Sequence, residues 1–248
     1  MPFKTKICIL LICLHFSFNG YSQYFINLES GALFSESNTF REGANGTLFS
    51  LTDDLSSPTV PFFRIRVGYL LNNKHHFSVL IAPLQLTLKG SINSDIIYAD
   101  KTFLANIPLE AVYRFNSFRF TYNRRIINKT NLNFGVGLSL KMRDAGSTLE
   151  NENQFEGGFS VGFVPLINII SNWKVSENIN FQFFGDGLAA PRGRAFDLAL
   201  TGNYNINNNM SASIGYRFLE GGSDGVNSYN FVKLHYAFVG FTYQFVKF

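Results

Sequence analysis

The sequence predicts an all-β chain folded as a transmembrane antiparallel up-and-down β-barrel of ten strands, and three observations carry that expectation. Hydrophobicity alternates with period two over most of the chain, short and long polar connections follow one another in turn, and aromatic residues are unusually frequent. The 248 residues include 28 Phe and 11 Tyr against one Trp, with 46% apolar and 15% charged residues. Such a composition belongs to a folded chain with rings to spare for its surface.

The alternation is clearest from Leu132 to Arg143. Leu132, Phe134, Val136, Leu138, Leu140 and Met142 would share one face, with Asn133, Gly135, Gly137, Ser139, Lys141 and Arg143 on the other. Met210, Ala212, Ile214, Tyr216 and Phe218 repeat the pattern, as do Phe63, Ile65, Val67 and Tyr69. A soluble sandwich also alternates, so the second face decides. Here it mixes Gly, Ser, Asn and Arg, which suits a narrow polar lumen in which small residues make room for a few long charged ones. In lipid every backbone group needs a partner within the protein, and a closed barrel is the sheet that provides this without edges.

Turn chemistry sets the strand count. Short polar turns fall at Asn72-Asn73-Lys74, Asn128 to Asn131, Ser171 to Asn178 and Asn205 to Asn209. Longer polar segments fall at Ser35 to Thr59, Ser91 to Asn106, Asp144 to Gln154, Gly187 to Arg194 and Glu220 to Ser228. Four turns and five loops join ten strands, near 24–34, 60–71, 75–90, 107–125, 131–143, 155–170, 178–187, 195–205, 209–219 and 229–247. Phase breaks predict bulges at Ala82-Pro83 and at Asn116-Ser117. In the latter strand Ala111, Tyr113 and Phe115 are expected on the lipid face before the break, and Phe118, Phe120 and Tyr122 after it.

The N-terminus predicts export. Lys4 and Lys6 precede the apolar run Ile7 to Phe18, and Gly20-Tyr21-Ser22 supplies small residues before a cleavage site after Ser22. Residues 1–22 are thus expected to be a cleaved signal peptide and 23–248 the barrel. Both cysteines, Cys8 and Cys13, lie in the leader, so the barrel needs no disulfide. Beyond it no stretch approaches the roughly 18 apolar residues of a spanning helix. The formal net charge of +4 is modest and does not argue for nucleic acid.

Gly240, Phe241, Tyr243, Phe245 and the terminal Phe248 resemble the aromatic-ended last strand of bacterial outer-membrane up-and-down β-barrels. That resemblance covers the whole chain after the leader. It implies the outer membrane of a Gram-negative cell envelope, contact with outer-membrane lipid, and recognition by the barrel assembly machinery. The stretches Val161 to Leu166, Gly187 to Arg194 and Gly215 to Gly222 look like signatures of a barrel family and name no function.

Strand phase places Arg64, Arg66, Arg114, Arg119, Lys141, Arg143 and Arg217 in the lumen, opposite Glu29, Glu110, Asp186 and Asp197. Two readings follow. The charges form a plug of ion pairs replacing an apolar core, which a lumen this narrow favours, or they line a porin-like passage or pocket for a small anion. His235 is a further lumen candidate, on the outer half of the last strand, although no second histidine stands at ligand spacing there, so a metal site is not expected. No cofactor is implied.

An enzyme is not expected. The alternative, an outer-membrane hydrolase acting on lipid or peptide, lacks its residues: the paired aspartates and Asp-x-His arrangement of the omptin proteases have no match here. His76 and Ser78 share a strand face, as in the lipid A deacylases, but follow a short turn and so fall at the wrong rim.

Overall fold

The structure is a computed structural model that describes residues 22–246. Residues 1–21 of the expected leader and the terminal Phe248 lie outside the described residues. The chain forms β1 (Ser22–Glu42), β2 (Phe49–Ser50), the short helix α1 (Leu51–Asp54), β3 (Leu55–Ser56), β4 (Val60–Leu71), β5 (His75–Ala82) and β6 (Gln85–Ser91). It continues through β7 (Ile96–Tyr98), β8 (Lys101–Phe103), β9 (Pro108–Asn128), β10 (Leu132–Glu150) and β11 (Phe155–Lys174). The wall is completed by β12 (Ile179–Ala190), β13 (Gly193–Asn205), β14 (Met210–Asp224) and β15 (Ser228–Val246).

With β5 and β6 counted as one interrupted strand, ten antiparallel strands close a barrel in chain order. β15 returns to β1 over the register Gln23↔Val246 to Glu42↔Ser228, so no wall strand is left as a free end of the sheet. The four short turns lie at one end and the other five connections at the opposite end. Of these five only those between β1 and β4 and between β6 and β9 are long; β10–β11, β12–β13 and β14–β15 are joined by four, two and three residues. Most of the polar segments expected as loops are strand: β1 and β10 run on to Glu42 and Glu150.

An apolar belt surrounds the turn-side and middle parts of the wall. Leu138 (67% exposed), Phe163 (66%), Ile214 (69%) and Val239 (62%) all face outward. Beyond the belt the polarity inverts. On β9 Leu109, Ala111 and Tyr113 are buried inside, while Glu110, Arg114 and Asn116 face out. They join Leu86, Leu88, Leu149, Leu234, Tyr236 and the segment between β1 and β4 in one apolar core at the loop end. Phe49 and Leu51 of that segment, and Tyr98 of the β7–β8 hairpin, cap it. Burying each large side chain of this set contributes roughly 1.5–3 kcal/mol.

This inversion corrects the expected bulges. The β9–β10 register runs without a shift through Asn116↔Asp144 and Ser117↔Arg143. Pro83 and Leu84 interrupt β5–β6, yet Ala82↔Ser117 and Gln85↔Arg114 keep one register across the gap, and Asn116 Oδ1 accepts the Leu84 amide at 3.2 Å. At neither site do the side chains change phase. What changes is the face that carries the apolar residues: the outside below, where Phe118 and Phe120 face out, and the inside above, where Ala111, Tyr113 and Phe115 turn to the core instead of to the outer face expected of them. A true bulge occurs in β1 between Ser35 and Ser37, and it brings Asn38 and Phe40 inward in place of odd-numbered residues.

Candidate functional site: a charge layer and the cavity above it

At belt height the lumen is crossed by a layer of six ionised side chains. Asp186 on β12 and Asp197 on β13 are register partners and both are buried inside. Two carboxylates facing each other repel, and burial magnifies the repulsion. Arg119 from β9, on the opposite wall, resolves it by reaching both, with Nη1 donating to Asp186 and Nη2 to Asp197 Oδ2 at 3.0 Å.

Asp197 is the hub. It also accepts from Arg217 at 2.6 Å and from Arg64 at 3.3 Å. Arg217 forks across to both oxygens of Glu29, at 2.8 and 3.0 Å, and Arg64 Nε lies 3.4 Å from the same carboxylate. Asp186 is completed by neutral donors, Ser139 Oγ and Asn168 Nδ2, each at 2.8 Å. Asn123 donates to Asn168 at 2.7 Å, and Thr121 shares a 2.8 Å hydrogen bond with Ser139. Three guanidinium groups and three carboxylates therefore neutralise one another. Paired, forked hydrogen bonds of this kind are what a buried charge needs to be tolerated.

Two further cations border the layer without carboxylates. Arg66 donates to Ser78 at 3.2 Å and lies over the Phe184 ring at 4.4 Å. Lys141 stands 4.9 Å from the Phe115 ring centre. Among the described residues no carboxylate lies within ion-pair range of Arg66, Lys141 or Arg143.

The layer separates two cavities that share no lining residue. On the turn side a polar vestibule of about 220 Å³ is lined by Asn27, Asn172, Asn180, Gln182 and Asn203. On the loop side a cavity of about 640 Å³ is lined by Lys141 and Arg143 next to the charge layer, by the aromatic residues Phe40, Tyr98, Tyr113 and Phe115, and by Glu42, Glu156 and Arg194.

That larger cavity runs to a gap in the wall. β11 pairs with β12 only from Ile167↔Gly187 to Lys174↔Asn180, whereas it pairs with β10 along its whole length. Pro165, which has no amide hydrogen, sits where pairing ceases. Above it Val164 and Pro165 of β11 and Leu188 and Ala190 of β12 border the cavity without ladder bonds between the two strands.

Three predicted lumen residues lie outside. Arg114 faces out, 2.9 Å from Asp144 and stacked 3.6 Å from the Phe159 ring centre. Glu110 also faces out and pairs with Lys89 at 2.8 Å. Both follow from the unbroken phase of β9. His235 shares the outward side of β15 with Val239, where it bonds Tyr216 and stacks on Phe34, and its Nε2 lies 2.7 Å from Glu36 at the β1 bulge. Arg64, Arg66, Arg119, Lys141, Asp186, Asp197 and Arg217 are buried inside, and Arg143 lines the loop-side cavity. Ser139 was expected on the polar face but not as a partner of Asp186, and Asn168, Asn123 and Thr121 were not singled out, although their place on the polar side of alternating strands was a usable signal.

No protein-family model matches the chain, and no curated protein matches it. Among solved structures it is similar to the outer membrane protease OmpT from Escherichia coli, with a TM-score of 0.51, 11% identity, and coverage of 90% of this chain and 97% of that one. Weaker likenesses include the attachment invasion locus protein Ail of Yersinia pestis (TM-score 0.36, 11% identity, 89% and 98% coverage) and Neisserial surface protein A (TM-score 0.33, 12% identity, 90% and 97% coverage). The fold is that of the ten-strand bacterial outer-membrane β-barrels. At 11% identity the likeness to OmpT concerns that architecture alone.

Proposed function

We propose that the protein is a sealed barrel of the Gram-negative outer membrane that binds a small anionic ligand from its loop side rather than conducting ions or carrying out chemistry. The observation that carries this reading is the neutralised layer of Arg64, Arg119, Arg217, Glu29, Asp186 and Asp197 between two separate cavities. Membrane residence is supported by the continuous apolar belt, which would be costly in water and is expected in lipid. The leader supports export, and the aromatic last strand, Phe241, Tyr243 and Phe245, supports insertion by the assembly machinery.

Ligand binding is supported by Lys141 and Arg143, cations that face a cavity and have no carboxylate partner. Catalysis finds no comparable support. Ser78 is engaged by Arg66, and His76 stacks on Phe25 with ring centres 5.3 Å apart.

The test is solute flux through the full chain reconstituted in liposomes. A sealed barrel leaves small anions and cations trapped, and rapid release of either would overturn the reading. Heat-dependent gel mobility of the same sample verifies that the barrel is folded.

A further inference from the structure

Resting on the ligand-binding reading above, we propose that the loop-side cavity takes a single-chain amphiphile with an anionic head, a carboxylate or phosphate, which reaches it sideways from the bilayer through the β11–β12 gap. Three independent observations meet there. The cavity, of about 640 Å³, offers aromatic walls for an alkyl chain and, next to the charge layer, Lys141 and Arg143 for a head group. Lys141 is buried, faces the Phe115 ring and forms no ion pair among the described residues, so an anion would supply the direct partner it lacks.

The third observation is the opening. Ladder pairing between β11 and β12 ends at Ile167↔Gly187, level with Leu138 on β10, which is 67% exposed within the apolar belt. Above that level Phe163 and Val161, 66% and 62% exposed, continue the apolar surface along the unpaired side of β11, and Phe163 also lines the cavity. An alkyl chain could therefore pass from lipid to cavity without leaving apolar contact. A free anion from water would gain nothing from this route. The other side of the cavity is bounded by Phe40, Tyr98, Tyr113, Leu219 and Val232 of the loop-end core, which offer the tail apolar contact, while Glu42, Glu156 and Arg194 also stand on the lining.

The experiment uses the full chain in lipid nanodiscs with a dansylated undecanoic acid as probe and empty discs as control. Saturable binding near one probe per barrel is expected, with displacement by decanoate and by decyl phosphate but not by methyl decanoate. Displacement by only one of the two anions would identify the head group as carboxylate or phosphate, and either result supports the proposal. K141Q and R143Q should each weaken binding roughly tenfold or more, the loss expected of one charge-assisted contact. R143Q keeps the test usable if the buried Lys141→Gln variant does not fold.

Affinity should rise about three- to fourfold per methylene of the competitor until the cavity is filled. Narrowing the gap with Leu188→Trp or Ala190→Trp should slow loading at least tenfold. Binding that ignores the head-group variants, or displacement by the neutral ester, overturns the proposal, and unchanged loading of both tryptophan variants overturns the sideways route. A sealed barrel that binds no probe overturns the amphiphile and leaves the sealed lumen standing. Ion flux would instead overturn the sealed lumen.

Discussion

Asp186 and Asp197 face each other as register partners on adjacent strands, two like charges buried side by side in the barrel interior. Such a pair persists only because cations arrive from elsewhere on the wall, and Arg119, Arg217 and Arg64 do so from β9, β14 and β4. The layer thus ties together strands distant in sequence, as a hydrophobic core does in a soluble domain.

Removing one member should therefore be far more costly than its hydrogen bonds suggest. Asp197→Ala takes one partner from each of three guanidinium groups, leaves two carboxylates to neutralise three cations, and is expected to destabilise the barrel by about 3–5 kcal/mol. Urea unfolding in lipid vesicles, followed by heat-dependent gel mobility, gives the value. A loss under 1 kcal/mol would mean that water, not protein, surrounds these groups.

Leu138→Arg tests the belt. With the side chain facing lipid near the bilayer middle, the cost should be about 2–4 kcal/mol, whereas Thr201→Asn on the vestibule wall should stay within about 1 kcal/mol. The same unfolding experiment compares them, and equal sensitivity of the two faces would contradict the assignment of inside and outside.

Above the belt the expectation reverses. Leu149→Ala, inside the loop-end core, should cost about 2–5 kcal/mol, while Glu110→Gln on the outer face should change stability by no more than about 0.5 kcal/mol. Proteolysis of the loop end reports this local stability directly.

Gly137 tests the closeness of β9 and β10. A β-carbon there would press on the Tyr122 carbonyl oxygen and lie 2.6 Å from Asn123 Cα, so Gly137→Ala should destabilise by about 1–3 kcal/mol. Unchanged unfolding would show that the strands can part at this point.

A pH effect is expected at the β7–β8 hairpin. Tyr98 is buried, donates to the Ser147 carbonyl at 2.9 Å, and has its phenol pushed up by burial to about 12. Its ordinary value is 10, so the unfolded hairpin loses this proton first and stability falls as pH rises. The contribution is intact below about pH 10 and is lost through about pH 12. Hydrogen exchange of the hairpin in parent and Tyr98→Phe checks the sign: only the parent should loosen across that window.

The wall was legible in the sequence because alternation and turn residues are local. Leu132 to Met142 reads as one strand with an apolar side whatever it packs against. The sidedness of Glu110, Arg114 and His235 was not legible, since alternation records two faces without saying which is wet. Once β9 leaves the belt, the same Ala111-x-Tyr113 spacing that would face lipid faces a core. Arg64, Arg119 and Arg217 were placed correctly because they share strands with belt residues, whose side was already decided. Their partnership with Asp186 and Asp197 depends on the closure of the whole barrel, which no local pattern encodes.

The central claim is that the charge layer seals the lumen, and planar-bilayer recording of the purified full chain tests it most directly. The parent protein should stay at baseline, and the double replacement Arg119→Ala with Asp197→Ala, which empties the centre of the layer, should open a current. A steady ohmic current through the parent protein would contradict the account.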